Sequence, residues 1–530
     1  MRSFLLIFIC LPMVYVNAQV IDSLAHFGLV EKMVNLKGVD VVSPYKESAK
    51  TSNLPSMTSE VTKKELEANH VDNIKGLTNI VPNFFIPDYG SRLTSAIYIR
   101  GIGSRMNTPA VGLYVDNIPY VDKSAFDFNF YDIERVDVMR GPQGTLYGRN
   151  AMGGIIKVYT RNPFVYQGTD VKLGFATKNN SHNIAVTHYH HINDKLAFSA
   201  GGYYNGSRGF FKNDITGKRV DDEKAGGGRA RLIYLASEQV KLDFNLSYDY
   251  SDEGAYPYFY KGSLTDKEDY PELIGKISAN RKCGYRRGVM NVGLNLQWNT
   301  DKFMMNAVTG FQNLNDNMFL DQDFIQPDIY SMEQKQKINT ISEELVFKNK
   351  NNKAFWEWVC GANFMYQWLR TDAPVTFFND GVKWLGNTIN SYMPDLSKMG
   401  MSMNLNLKDK DLSMGGTFQT PTMNVALFHQ STLHLTDKLS TIIGLRLDYD
   451  HNSMTCYAPA KINYDFSMTS TMMPLAFNDV CSKVLYDDVI KRDYLQVLPK
   501  LAFKYDFNKK GRDEKNIYVS VAKGMRSGGY

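Results

Sequence analysis

The sequence predicts a mainly β protein, a small N-terminal α+β unit followed by an antiparallel sheet of membrane-spanning strands. Three observations predict it. From Thr169 onward, apolar and polar residues alternate in stretches of about ten residues or more. Several of these are capped by Tyr, Phe or Trp, the length and finish of strands that cross a bilayer. The connections between the stretches alternate short and long, an asymmetry that a soluble β-sandwich has no reason to keep. Ahead of them lies a glycine-dense stretch, Ile133 to Pro163, that holds two short strands.

Composition agrees. Aromatic residues make up 13% of the 530, with 32 Tyr and 30 Phe, enough for girdles at two membrane interfaces. Formal charge is +5 with no basic run or stripe, so nucleic acid is not indicated as a partner. Beyond the N-terminus no apolar run of about 18 residues occurs, so helices do not cross a membrane here. Barrel strands need only every second residue to face lipid, which a mean hydropathy of −0.32 permits.

In chain order, residues 1–18 read as a secretory signal: Arg2 supplies the charge, Phe4 to Val16 the apolar region, and Val16-Asn17-Ala18 the cleavage site. A segment over 19–53 follows, with an alternating β-prone run at 37–43. Thr62 to Glu65 is a capping box, which predicts a helix to about Ala68. A second short helix is expected over Asp72 to Leu77, with Pro82 ending the unit. In the glycine-dense stretch, Ile133, Val136 and Val138 are apolar among charged residues, Gly141 to Gly144 form a turn, and Gly153-Gly154 precede a second strand. No Gly-Lys-Ser/Thr and no Gly-x-Gly-x-x-Gly is present, so it is not a phosphate cradle.

From 169 the alternation gives about thirteen strands, starting near 169, 181, 195, 225, 239, 286, 303, 334, 354, 421, 438, 491 and 513. Long loops are expected over 206–224, 252–285, 317–333, 371–420 and 454–490. Four cysteines follow the signal. They allow three pairings, and Cys456 with Cys481, both in the last of those loops, is the candidate disulfide. No catalytic constellation, cofactor motif or metal-ligand spacing is found. His188, His190 and His191 cluster, but as polar residues at a strand end.

Three segments in order carry a resemblance: Ala96-Ile97-Tyr98-Ile99-Arg100-Gly101-Ile102-Gly103-Ser104, then Pro109 to Tyr120 (PAVGLYVDNIPY), then Ile133 to Pro163. Together they resemble the plug-domain signature of TonB-dependent outer-membrane receptors. Asn117, where that family more often has Gly, is a departure at a turn. The resemblance implies a mainly β chain, with an N-terminal α+β plug domain over 54–163 inside a transmembrane antiparallel β-barrel over 169–530. The family barrel has 22 strands, so a chain of about thirteen implies truncation after Tyr530, with roughly 200 residues missing.

It further implies a TonB box at 37–43 (Val39, Asp40, Val41, Val42, Ser43), which would add as a strand to the C-terminal domain of TonB. The other partners implied are outer-membrane lipid and a small-molecule ligand. Arg100 and Arg140 each precede a plug glycine, and Ile341 to Phe347 resembles a family strand motif with an inward Glu344. We therefore expect Arg100 and Arg140 to pair with barrel carboxylates including Glu344 and lock the plug; the alternative is local packing within the plug. Ligand contacts are expected from Arg92, Arg105 and Asn107 at the plug apex and from Phe377, Phe378 and Trp384 in the loop 371–420. Family prevalence points to a ferric siderophore or related iron chelate. Glycans, cobalamin or haem are the alternatives within the family, and a passive porin-like channel is the alternative outside it. No catalysis is expected.

Overall fold

The computed structural model describes residues 45–46, 56–91, 96–105, 108–262, 270–350, 355–397, 400–470, 474–507 and 515–528. The signal sequence and the box at 37–43 lie outside the described residues.

The N-terminal unit contains β1 (Met57–Thr62), α1 (Lys63–Ala68), β2 (Phe84–Phe85), β3 (Tyr98–Ile99), β4 (Val111–Val115), β5 (Ile118–Tyr120), β6 (Ile133–Arg140), α2 (Gly144–Tyr147) and β7 (Gly154–Thr160). Its sheet runs β1-β6-β7-β4-β5, antiparallel except for β4 beside β7, while β2 and β3 pair separately. Thr62 caps α1 as expected, accepting from Glu65 N while Glu65 reaches back to Thr62 N at 2.8 Å. The second expected helix is instead a 3-10 turn over Lys75–Asn79, closed before Pro82. Val136, Val138, Ile156 and Val158 are wholly buried, so this unit has its own core.

Thirteen strands then form one continuous antiparallel path: β8 (Gly168–Ala176), β9 (Ser181–Asn193), β10 (Leu196–Ser207), β11 (Glu223–Leu235), β12 (Val240–Gly254), β13 (Gly284–Asn299), β14 (Phe303–Asp321), β15 (Tyr330–Asn349), β16 (Trp356–Phe377), β18 (Leu412–His434), β19 (Leu439–Ser470), β20 (Leu475–Asp506) and β21 (Asn516–Ala522). Two further elements lie in the connection after β16: α3 (Asn379–Ser391) and β17 (Met401–Leu407), which pairs with β19.

The polarity of this sheet is inverted relative to a soluble protein. Phe244, Leu246, Tyr248 and Tyr250 of β12 are exposed, while Asp243, Asn245, Ser247 and Asp249 between them are buried. In β19, Ile443, Leu445, Leu447 and Tyr449 face out, and Arg446, Asp448 and Asp450 face in. An apolar exterior with a polar interior is the pattern of a barrel in lipid. The buried face packs on the N-terminal unit, which occupies the lumen as a plug: Val289, Leu314 and Ile338 of the wall join its core.

Two expectations about the long connections are corrected. The loop expected over 454–490 is largely strand, because β19 and β20 pair from Leu439↔Tyr505 up to Met468↔Leu475. Much of the loop expected over 371–420 is likewise strand, together with α3. Inward-outward alternation lapses there, but cross-strand hydrogen bonds do not need it once both faces are wet. The same register overturns the candidate disulfide. Cys456 sits opposite Asp488 and Cys481 opposite Asn463. The two cysteines are therefore about 23 Å apart along the ladder at ~3.3 Å per residue, beyond a disulfide's reach. All four described cysteines are free.

Candidate functional site

At the short-turn end of the sheet, the chain ahead of the plug is pinned in the lumen. Lys46 Nζ lies 2.5 Å from Glu344 Oε1 and donates to Leu146 O of α2 at 3.1 Å. Tyr45 donates its hydroxyl to Glu344 Oε2 at 3.2 Å. The ammonium sits over the Tyr147 ring at 4.4 Å, with the Tyr45, Tyr114 and Phe428 rings around it. Glu344 faces inward because β15 alternates Leu345 and Phe347 to the outside. Lys46 and Glu344 together thus join three parts of the chain: the N-terminal segment, the plug through α2, and the wall.

Arg100 and Arg140 do not reach Glu344. Arg140 Nη1 donates to Pro82 O at 3.1 Å, and Arg100 Nη2 meets Met57 Sδ at 3.4 Å. Burial, and then the charge of Arg100, lower the Arg140 pKa. The two arginines sit close together at the plug's own strand ends and bond within the plug. The cation on Glu344 comes instead from Lys46, a lone basic residue after Pro44 that carries no motif to mark it.

Around the plug, further polar contacts join it to the wall or brace the wall beside it. Arg229 Nη1 of β11 lies 2.6 Å from Asp132 Oδ1, both buried. Arg231 Nη1 donates to Thr160 Oγ1 at 2.9 Å and its Nη2 to Asp243 Oδ2 at 2.7 Å. Arg287 of β13 donates to Ser124 O and to Asp127 O, the latter at 2.6 Å. Arg149 Nη1 lies 3.8 Å from Asp450, and Arg446 Nε bonds Asp448 Oδ2 at 2.5 Å. Two glycines permit the approach. Gly148 has φ +70°, and a Cβ there would stand 2.3 Å from the Arg446 guanidinium. A Cβ at Gly293 would stand 1.9 Å from Ile118 Cδ1 of the plug.

The opposite end of the plug meets the long connections. Arg105 stacks on Tyr89, with Cζ 4.3 Å from the ring centroid, and its carbonyl accepts from Lys123 Nζ at 2.6 Å. Burial, and then the Arg105 charge opposing the pull of Asp122, lower the Lys123 pKa; burial likewise raises that of Asp122. Tyr258 donates to Tyr89 O, Tyr256 N donates to Gly90 O at 3.1 Å, and the Tyr258 ring packs on Phe324 at 4.8 Å. Arg92 and Asn107 lie outside the described residues. Phe377 stacks between Tyr330 and Trp384 at the rim, while Phe378 precedes α3 with the Arg281 guanidinium 3.3 Å over its ring. Sequence reasoning missed Tyr89, Tyr256, Tyr258 and Phe324, whose only signal was aromatic density beside turns. His188 and His190 stack on the outer face near the short turns, and no group of three metal-ligating side chains occurs among the described residues.

Comparison with known proteins gives a consistent picture. The profile of the TonB-dependent Receptor Plug Domain matches residues 50–155, and that of the TonB dependent receptor-like beta-barrel matches 241–530. The pesticin receptor of Yersinia pestis is 36% identical over 126 residues, 23% of this chain and 19% of that protein. The vitamin B12 transporter BtuB of Vibrio vulnificus is 27% identical over 240 residues, 43% of this chain and 34% of that protein. The crystal structure of the ferric yersiniabactin uptake receptor FyuA from Yersinia pestis superposes with a TM-score of 0.68 at 21% identity, covering 90% of this chain and 66% of that one. The chain therefore spans less than two thirds of the length of these relatives.

Proposed function

The chain belongs to the TonB-dependent receptor family, and from that premise we propose that it serves in an outer-membrane receptor importing a scarce iron chelate, a ferric siderophore or a near relative, with TonB supplying the energy. The observation that carries the transport reading is the two-ended plug. One end carries Arg105 and the Tyr89–Tyr258–Phe324 cluster toward the long connections. The other end holds Tyr45 and Lys46 on Glu344, directly after the box at 37–43. A cargo signal entering at the first end and a pull applied at the second act on one rigid body, the plug sheet. TonB would engage Val39 to Ser43 by strand addition, and pulling on that strand loads the Lys46 anchor first.

The iron-chelate reading draws on the neighbour named for ferric yersiniabactin uptake, and on an apex that offers a guanidinium and aromatic faces to an anionic ligand. The BtuB match favours cobalamin as the second reading. The test is uptake of radiolabelled ferric siderophores, and separately of cobalamin, in cells with and without the full-length gene and with and without TonB. TonB-dependent iron accumulation lost on deletion is the expected result. Loss of cobalamin uptake alone would replace the cargo and keep the mechanism, and uptake that persists without TonB would overturn the mechanism.

A further inference from the structure

Along β14 and β15 the outward face of the wall carries a polar stripe that the transport reading does not use. Cross-strand pairing sets Phe244, Leu294, Thr309, Glu343, Phe364 and Val425 side by side in one row from β12 to β18. Four of them are large apolar side chains exposed on the outside. Between those, Thr309 Oγ1 donates to Glu343 Oε2 at 2.5 Å, also on the outside. On β16 the row passes through Phe364, with Trp358 nearer the foot and Trp368 above. This carboxyl group therefore sits within the apolar band.

The stripe continues upward. Asn315 Nδ2 donates to Asn313 Oδ1 at 2.7 Å, and Asn313 Nδ2 to Asn339 Oδ1 at 2.6 Å, level with Trp368. Among the described residues, that run of amides leaves the N–H groups of Asn339 and the carbonyl of Asn315 for a further partner. Next above, Lys337 lies opposite Arg370, and Lys335 opposite Asp372. Arg370 Nε is 3.2 Å from Asp372 Oδ2, and Lys335 Nζ is 3.0 Å from Glu333 Oε1, with each of these four side chains a third or more exposed. A carboxyl group turned toward hydrocarbon gives up water without a replacement, which lipid-facing strands ordinarily avoid. The stripe calls for a polar cover, and it carries charges of both signs.

We propose that this stripe is where a second copy of the chain packs against the first in the membrane, about a two-fold axis along the membrane normal. Two copies in one membrane share an orientation, so such an axis sets each residue against residues of its own height. Amides meet amides, which both donate and accept. The cations Lys335, Lys337 and Arg370 of one copy face the level of Asp372 and Glu333 in the other, and the Thr309–Glu343 pair leaves the lipid. The patch is self-complementary, as an isologous contact must be. A lipid headgroup would serve the charged end alone, and a proton on Glu343 would serve the carboxyl alone; a second copy covers the whole stripe. The proposal rests on the wall lying in the outer membrane, and neither on the cargo nor on TonB.

The test uses the full-length receptor, purified into lipid nanodiscs wide enough for two copies, with its mass read by native mass spectrometry. Twice the single-copy mass is expected. Asn339→Leu combined with Glu343→Leu should return it to one copy, at an unchanged or higher unfolding temperature, because leucine suits lipid. In cells, a bismaleimide should join Asn339→Cys to itself more than it joins the parent chain or Ile184→Cys, which faces outward six strands away on β9. Heat-shifted gel mobility of each variant reports the folded barrel, so failure to reach the membrane is read separately from failure to pair. A single-copy mass for the parent receptor overturns the proposal, as does a double mass that persists in the double variant. A lowered unfolding temperature in that variant would assign the stripe to the wall's own stability. Crosslinking of Asn339→Cys to a different protein, or no more than at Ile184→Cys, would remove the second copy as the partner.

Discussion

Lys46 Nζ lies 2.5 Å from Glu344 Oε1 with both side chains almost wholly buried, so a residue close behind the proposed TonB box supplies the cation that meets the barrel wall. A buried pair is weak evidence for stability, but removing one partner strands the other's charge, at a cost of about 3–5 kcal/mol. That asymmetry makes the pair a sensitive place to perturb.

Glu344→Ala should release the segment around Lys46 and loosen the plug. Expected outcomes are greater sensitivity of cells to detergents and bulky antibiotics, and faster proteolysis near Lys46 in the purified receptor. The double variant Lys46→Met with Glu344→Leu leaves no charge unpaired within the Tyr147 and Phe428 surroundings and should restore much of the barrier. Unchanged permeability in the single variant would remove the anchor from the mechanism.

Arg229→Ala leaves Asp132 buried without its guanidinium and should cost roughly 3 kcal/mol of plug docking. Asp132→Asn keeps a hydrogen-bond acceptor for Arg229 and should cost less. Thermal unfolding of the two variants in detergent ranks them; equal losses would mean that a neutral amide at 132 does not compensate the buried Arg229 charge.

Gly148→Ala combines a left-handed backbone with a Cβ driven into the Arg446 guanidinium, and we expect a loss of about 1–3 kcal/mol. Trimming the obstacle with Arg446→Ala in the same chain should recover only the steric part, because the φ of +70° remains. A double-mutant cycle on unfolding temperature separates the two.

Arg105→Ala should weaken binding of the proposed ferric chelate by about tenfold or more, the loss expected for a hydrogen bond to a charged group. Tyr258→Phe removes only the bond to Tyr89 O and should have a smaller effect. Fluorescence titration of the full-length receptor measures both; equal affinity in Arg105→Ala would place the cargo contacts elsewhere.

The barrel was legible in the sequence because a lipid-facing strand must show its apolar residues at every second position, and β12 and the base of β19 do so without interruption. The upper halves of β19 and β20 were not legible, because nothing there has to face lipid and the periodic signal lapses while the pairing continues. Glu344 could be read as inward from parity alone. Its partner could not: whether Arg100, Arg140 or Lys46 reaches it depends on how β3 and β6 end and on where a segment far ahead of the plug enters the lumen. The apex aromatics escaped notice for a related reason, since Tyr89, Tyr258 and Phe324 come from three distant loops and meet only in the fold.

The paired β19 and β20 have a mechanical consequence. Each strand has 32 residues, about 105 Å of extended chain at ~3.3 Å per residue, against a hydrocarbon layer of roughly 30 Å. Its foot is the part of β19 whose Arg446, Asp448 and Asp450 touch the plug around Gly148 and Arg149. From there the ladder climbs without a register shift as far as Tyr464. Over that length the pairing has no break at which the ribbon could fold. A large particle that leaned on the ladder below Tyr464 would load this paired length as a unit, and the strain would arrive at the foot, beside the stopper in the pore.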